Sequence, residues 1–155
     1  MAQSLFERIE HWLQERGIPF DVLRHKPVFT SAEAAEARGV PLASGAKALV
    51  CKADGTFLMF VLPADRKLAS KQVRRQRKWK SLRFANREEL LELTGLEPGS
   101  VPPFGSLFGL PTLCDQRLGQ QERINFNAGD HTISLSMTFA AYVDAEGPEL
   151  GQFAD

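Results

Sequence analysis

Apolar residues recur at helical spacing near the start of the chain, where Leu5, Phe6, Ile9, Trp12 and Leu13 fall on one stripe. Ser4 precedes them, Glu7 completes a capping box and Gly17 stops the run, so a first helix is predicted here. The period then drops to two in Phe20-Asp21-Val22-Leu23-Arg24-His25, as in a strand. Thr30 to Gly39 reads as a second helix, opened by a threonine cap and closed by glycine. Two strand-like runs follow, Ala46 to Lys52 and Phe57 to Leu62, with Ala53-Asp54-Gly55-Thr56 as the hairpin turn between them. A helix is expected over Ser70 to Gln76, a short strand at Leu82-Arg83-Phe84, and an Asn86-capped helix from Arg87 to Leu93. Short strands are expected near Leu113, at Ile124-Asn125-Phe126 and over Thr132 to Ser136, with Thr138 opening a last helix through Tyr142. Hairpins and helices are interleaved with no repeat or linker, which predicts an α+β single domain over residues 1–155 rather than a doubly wound sheet.

One segment breaks these patterns. Gly99-Ser100-Val101-Pro102-Pro103-Phe104-Gly105 brackets two prolines with glycines, so it can neither continue a helix nor enter a sheet. The glycines allow φ > 0 or close approach of a ligand. Taken alone the segment reads first as an ordinary rigid turn, with a loop whose amides grip a small polar group as the alternative.

Composition narrows the class. The 155 residues are 43% hydrophobic, enough for a real core, and nineteen basic residues balance nineteen acidic ones. That balance excludes the global basic field of a non-specific nucleic-acid binder. The charge is uneven, however: Arg66, Lys67, Lys71, Arg74, Arg75, Arg77, Lys78, Lys80 and Arg83 follow one another with no acid between them. Such a run is either a solvated helix face or a phosphate-facing patch. Asp65, just before it, is expected to cap the basic helix. Cys51 and Cys114 are far apart and form no CxxC, which argues against zinc and a disulfide framework. No stretch is apolar enough to span a membrane and the N-terminus does not read as a signal peptide, so a cytoplasmic protein is expected.

Lys47 is the leading candidate for chemistry. Alternation places it on one strand face with Leu49 and Cys51, opposite Ala48, Val50 and Lys52. A lysine there is costly unless it snorkels at the strand end, reaches a cleft or meets an anion. His25 and His131 can meet only through the fold, and lone histidines are usually structural. There is no GxSxG elbow and no metal triad. What remains is a cleft of backbone amides, one lysine and polar side chains, without an obvious nucleophile.

Gly45-Ala46-Lys47-Ala48-Leu49-Val50, Leu62-Pro63-Ala64-Asp65, Glu92-Leu93-Thr94-Gly95, the Gly99–Gly105 loop and Asn127-Ala128-Gly129, in that order, resemble the YbaK and prolyl-tRNA synthetase editing-domain family from about His25 to Tyr142. The resemblance implies a mixed, mostly antiparallel, barrel-like sheet surrounded by helices, and hydrolysis of the ester bond of mischarged aminoacyl-tRNA. It implies that Lys47 engages the tRNA 3′ end. Gly99 and Pro103 of a GxxxP loop would position the ester, while water or a substrate hydroxyl does the chemistry. Substrate contacts are then expected from His25, Thr30, Pro102, Phe104, Gly105, Asn127, Gly129, His131 and Ser134, and tRNA contacts from Lys47, Arg74, Arg75, Arg77 and Lys78. No cofactor or metal is expected. The expected partners are mischarged tRNA and an aminoacyl-tRNA synthetase, with no DNA and no membrane. Alanine-editing relatives carry a Phe-His-Pro-Leu-like segment where this chain reads Phe126-Asn127-Ala128-Gly129. The chain is more similar to the branch acting on seryl- and threonyl-tRNA, with alanyl and cysteinyl substrates left open. The competing readings are a non-catalytic tRNA-binding or synthetase-associated module and a small-molecule-binding regulator.

Overall fold

The computed structural model describes residues 3–155. Helix α1 (Leu5–Glu15) opens on the expected Ser4–Glu7 capping box and buries Phe6, Ile9 and Leu13. The same reciprocal bonding starts α2 (Ser31–Arg38) at Thr30 and Glu33, and α4 (Arg87–Thr94) at Asn86 and Glu89. Each such cap is worth roughly 1 kcal/mol. Strands β2 (Ala46–Ala53) and β3 (Thr56–Pro63) form a hairpin in full register, Ala46 opposite Pro63 through Ala53 opposite Thr56. Its turn is the two residues Asp54 and Gly55, both at positive φ (46° and 86°), the backbone that matches strand twist.

Two sheets result. β1 (Asp21–Arg24), β7 (Ile133–Thr138) and β6 (Arg123–Asn127) form an antiparallel three-stranded sheet in the order β1-β7-β6. The second sheet runs β4-β2-β3-β5-β8, where β4 is Leu82–Phe84, β5 Thr112–Asp115 and β8 Glu149–Gly151. Its β4-β2-β3 part is antiparallel, and β5 and β8 add in parallel. The mixed, mostly antiparallel α+β architecture is therefore the observed one. Its barrel-like element takes the form of two sheets abutting at a parallel bridge between Gly45 and Asn125.

Both faces of the second sheet are covered. Ala46, Val50, Met59 and Val61 face the main core with α1, Phe104, Phe126 and Tyr142. Cys51, Phe60 and Leu62 face a second cluster with Val73 of α3 (Ser70–Arg77) and Phe153. The final helix α5 (Phe139–Glu146) runs past Tyr142. The expected cap of α3 is corrected: Ala69 occupies the N-cap position with no side-chain bond, and Asp65 lies exposed four residues earlier. Strand β8 carries no alternation and two of its three residues are exposed, so nothing local announces it. Among the described residues, no helix is long and apolar enough to cross a membrane.

Candidate active site

A cleft of about 230 Å³ lies between α2, the first half of β2, the Gly99–Val101 loop and the end of β6. The α2 residues lining it are Ser31, Ala34, Ala35 and Arg38. Their spacing of three, four and seven marks one helix face, and three of the four are small, which opens the space. Gly45 to Leu49 form the opposite wall. β4 pairs with β2 only over Cys51–Ala53, so Ala46 to Leu49 have β3 on one side and no named strand on the other. Lys47 sits on this wall, half-buried. Burial holds its pKa below the ordinary lysine value, and Lys67 adds to that, while the carboxylates of Asp155 and Asp65 act in the opposite direction. Among the described residues it enters none of the ion pairs, which leaves its charge available to a ligand.

The proline loop is anchored from several sides. Gly99 has φ +89°, a backbone position closed to ordinary side chains, and its carbonyl accepts a 2.6 Å bond from Asn127 Nδ2. The Ser100 carbonyl accepts from the Gly129 N–H, and the Pro103 carbonyl from the Tyr142 hydroxyl at 2.6 Å. Burial first, then the nearby Cys114 and Glu146, push the Tyr142 pKa well above its ordinary value, so it remains a donor. Beyond the prolines, Gly105 N–H donates to Thr112 Oγ1, which donates to Glu146. Glu146 also accepts from both the N–H and the hydroxyl of Ser106. Tyr142 and Glu146, one turn apart on α5, thus fix the loop from beneath. Gly99 and Val101 both line the cleft, and their N–H groups donate to no protein group among the described residues.

Behind the cleft runs a polar network centred on a residue that sequence reasoning did not select, Arg38. Its Nε donates to Ser134 Oγ at 2.8 Å and its Nη2 to Asn127 Oδ1 at 3.1 Å. His25 Nδ1 faces only the Lys26 carbonyl, so it carries the proton, and Nε2 accepts the Ser134 hydroxyl at 2.8 Å. Arg38 could have been noticed as the charged member of the face that carries Ser31, Ala34 and Ala35. Its partners, 89 and 96 residues away, could not.

Of the sequence candidates, Lys47, Gly99, Asn127 and Thr30 come together on the cleft. Thr30 is there with its hydroxyl committed to capping α2, and Asn127 bonds through both ends of its amide. His25 and Ser134 stand one layer back, in the Arg38 network. Pro102 and Pro103 are buried. Phe104, at 0% exposure, packs edge-on to Trp12 and Phe126 in the core and does not reach the cleft. A Cβ on Gly105 would fall 2.3 Å from Thr112 Oγ1, and one on Gly129 would fall 2.8 Å from Leu5; both glycines serve packing. His131 bonds the Val28 carbonyl and stacks on Phe29, an aromatic at the cleft that is 67% exposed and that sequence reasoning also passed over.

The acid-free basic run acquires acids in three dimensions. Arg77 pairs with Glu149 and lies over the Phe153 ring, and Arg83 pairs with Glu89. Arg77 is thereby bound into the fold and not presented with its neighbours. Lys71, Arg74, Arg75 and Lys78 remain together around Trp79 as an exposed basic hollow. Both thiols are buried, and burial pushes each up to about 12, with Asp115 adding to it for Cys114. They are protonated and poorly nucleophilic at neutral pH. Among the described residues, no group of three or more His, Cys, Asp or Glu side chains is placed to hold a metal ion.

Comparison with known proteins gives a consistent picture. The family model of the aminoacyl-tRNA editing domain matches residues 25–145. A multifunctional Ser/Thr-tRNA deacylase from Escherichia coli K12, ProXp-y, is 32% identical over 152 residues, covering 95% of this chain and 91% of that protein. A proline–tRNA ligase from Shouchella clausii is 34% identical over 101 residues, covering 65% of this chain and 18% of that enzyme. Among solved structures, a proposed trans-editing enzyme for prolyl-tRNA synthetase shares the fold with TM-score 0.87 at 24% identity, over 100% of this chain and 99% of its own.

Proposed function

The chain belongs to the aminoacyl-tRNA editing domain family, and we propose that it is a trans-acting deacylase that hydrolyses the ester of tRNA mischarged with a small, hydroxyl-bearing amino acid. The observation that carries this reading is the cleft itself. It brings an unpaired lysine, a guanidinium and an anchored loop with two unbonded N–H groups around a small volume. A volume of about 230 Å³ lies below the range of roughly 300–1,000 Å³ typical of drug-sized ligands, so it suits a small aminoacyl group and disfavours an aromatic one.

Lys47 draws in the phosphate of the tRNA 3′ end and sets the ester across the cleft. Water, oriented by the neighbouring ribose hydroxyl, attacks the ester carbonyl carbon and gives up a proton. The carbonyl oxygen takes up the negative charge, and the N–H groups of Gly99 and Val101 stabilise it. Collapse breaks the bond to the ribose oxygen, which takes a proton, and the amino acid leaves. An activated ester needs only positioning and this polarisation, so a nucleophilic triad is unnecessary. Lys71, Arg74, Arg75 and Lys78 supply a second, non-specific contact to the tRNA backbone. Similarity to prolyl-tRNA synthetases supports that class of synthetase as the source of the mischarged substrate.

The test is to incubate the protein and its Lys47→Ala variant with one tRNA charged in turn with serine, threonine, alanine, cysteine or phenylalanine, following amino-acid release. Release from the seryl and threonyl species is expected, with refusal of the phenylalanyl species and a loss on the order of 100-fold in the variant at unchanged melting temperature. tRNA binding without release from any species would establish the non-catalytic module instead.

A further inference from the structure

We propose that Arg38 is the specificity-determining residue, donating a hydrogen bond from Nη1 to the side-chain hydroxyl oxygen of the aminoacyl group. The proposal rests on the deacylase reading and names the group that would select its substrate.

Arg38 is a cation that lacks an anion: it lines the cleft and enters none of the ion pairs among the described residues. Its two protein partners, Ser134 and Asn127, are neutral. Burial lowers its pKa to about 10, so it remains charged at neutral pH while deprived of part of its hydration. A charge withdrawn from water in this way carries a cost that a ligand acceptor would offset.

The geometry says where that acceptor sits. Nε and Nη2 are anchored, and Nη1 bonds to no protein group among the described residues. A Cβ built on Gly45 would lie 3.8 Å from Nη1, in van der Waals contact with it. No such Cβ fits, because it would come within 2.9 Å of Ala64 Cβ. Gly45, which lines the same cleft, therefore places no side chain beside Nη1.

The anchors also make the guanidinium rigid. His25, whose Nδ1–H donates to the Lys26 carbonyl, meets the Ser134 hydroxyl through Nε2 at 2.8 Å, and Ser134 Oγ accepts from Arg38 Nε and lies 3.4 Å from Asn127 Oδ1. Asn127, bonded to the Gly99 carbonyl, holds Nη2 in register with the loop that binds the ester. Recognition of the side chain and placement of the ester are therefore mechanically joined through Asn127.

Chemistry selects among small side chains. A guanidinium has five donors and no acceptor, so its complement must offer a lone pair. The hydroxyl of serine or threonine does, the methyl of alanine does not, and a thiol is a weak acceptor. A site built to hydrogen-bond a hydroxyl discriminates against the analogue without it, because the donor is left unpaired.

The experiment measures kcat/KM on one tRNA charged with serine or alanine, for the wild-type protein and for Arg38→Met and Arg38→Lys. Wild type is expected to prefer the seryl substrate. Loss of a hydrogen bond from a charged donor predicts that the seryl-to-alanyl ratio falls roughly 10- to 150-fold in Arg38→Met. Arg38→Lys, which keeps a charge without the planar fork, should retain part of the preference. Equal losses on both substrates in a folded variant would overturn the assignment and make Arg38 a structural or ester-binding group. Absence of seryl preference in the wild type would overturn it whether or not the variants fold. If the wild type releases no amino acid from either tRNA, the deacylase reading fails and this proposal with it.

Discussion

Tyr142→Phe removes a single oxygen and tests whether the anchoring of the proline loop governs catalysis. The ring stays in place, packed against Phe104 at 5.5 Å and Phe139 at 6.4 Å between centroids. What is lost is the 2.6 Å bond to the Pro103 carbonyl. Both residues are buried, Tyr142 completely, so water does not readily replace the donor. An orphaned buried acceptor costs about 1–3 kcal/mol, and the variant regains part of that because no phenol hydroxyl needs desolvating. A net loss of about 1–2 kcal/mol follows, or a melting temperature lower by roughly 2–8 °C for a chain of this size. The functional effect should exceed the stability effect. Pro103 lies two residues from Val101, and a loop displaced by an ångström can cost on the order of 100-fold in rate. Calorimetry and single-turnover deacylation would read the two quantities. The loss should appear in kcat, since Lys47 and the basic hollow are untouched, with KM nearly constant. A melting temperature within a degree of wild type together with unchanged kcat would refute the claim that α5 holds the loop in its working position.

Replacing Arg74, Arg75 and Lys78 by glutamine should flatten the salt dependence of tRNA binding by roughly one unit of log–log slope per lost phosphate contact. Arg77→Ala should instead lower stability, through its Glu149 and Phe153 contacts; an unchanged slope in the triple variant would make the basic face merely solvated. Glu89 is held down to about 2, first by its two bonds to Arg83 and then by the Asn86 N–H, against an ordinary value of 4.5. Between those values the unfolded chain binds more protons, so this contribution is complete above about 4.5 and lost as pH falls through about 2. Glu89→Gln should flatten the acid limb of a urea-denaturation pH series in that window, and an unaltered limb would contradict the assignment.

Capping and alternation were legible in the sequence because their physics is local. Ser4 with Glu7, Thr30 with Glu33 and Asn86 with Glu89 satisfy orphan amides three residues away. The Asp54-Gly55 turn sets the β2–β3 register and with it the face that Lys47 occupies. Strand β8 escaped notice because its stabilising partner, β5, lies more than thirty residues earlier and leaves no period behind. The same distance problem governs the cleft. The Gly99–Gly105 segment was visible as rigid, but which of its residues face solvent depends on Tyr142 and Glu146 from α5. That packing turns Phe104 into the core and leaves Gly99 and Val101 at the cleft. An acid-free basic run became a patch minus Arg77 once folding brought Glu149, 72 residues away, beside it. Arg38 is, in sequence, only the basic end of an alanine-rich helix; Ser134 and Asn127 meet it in the fold. Local hydrogen bonding determined the elements; burial and long-range pairing decided which polar groups were left without a partner, and those are the groups available to a substrate.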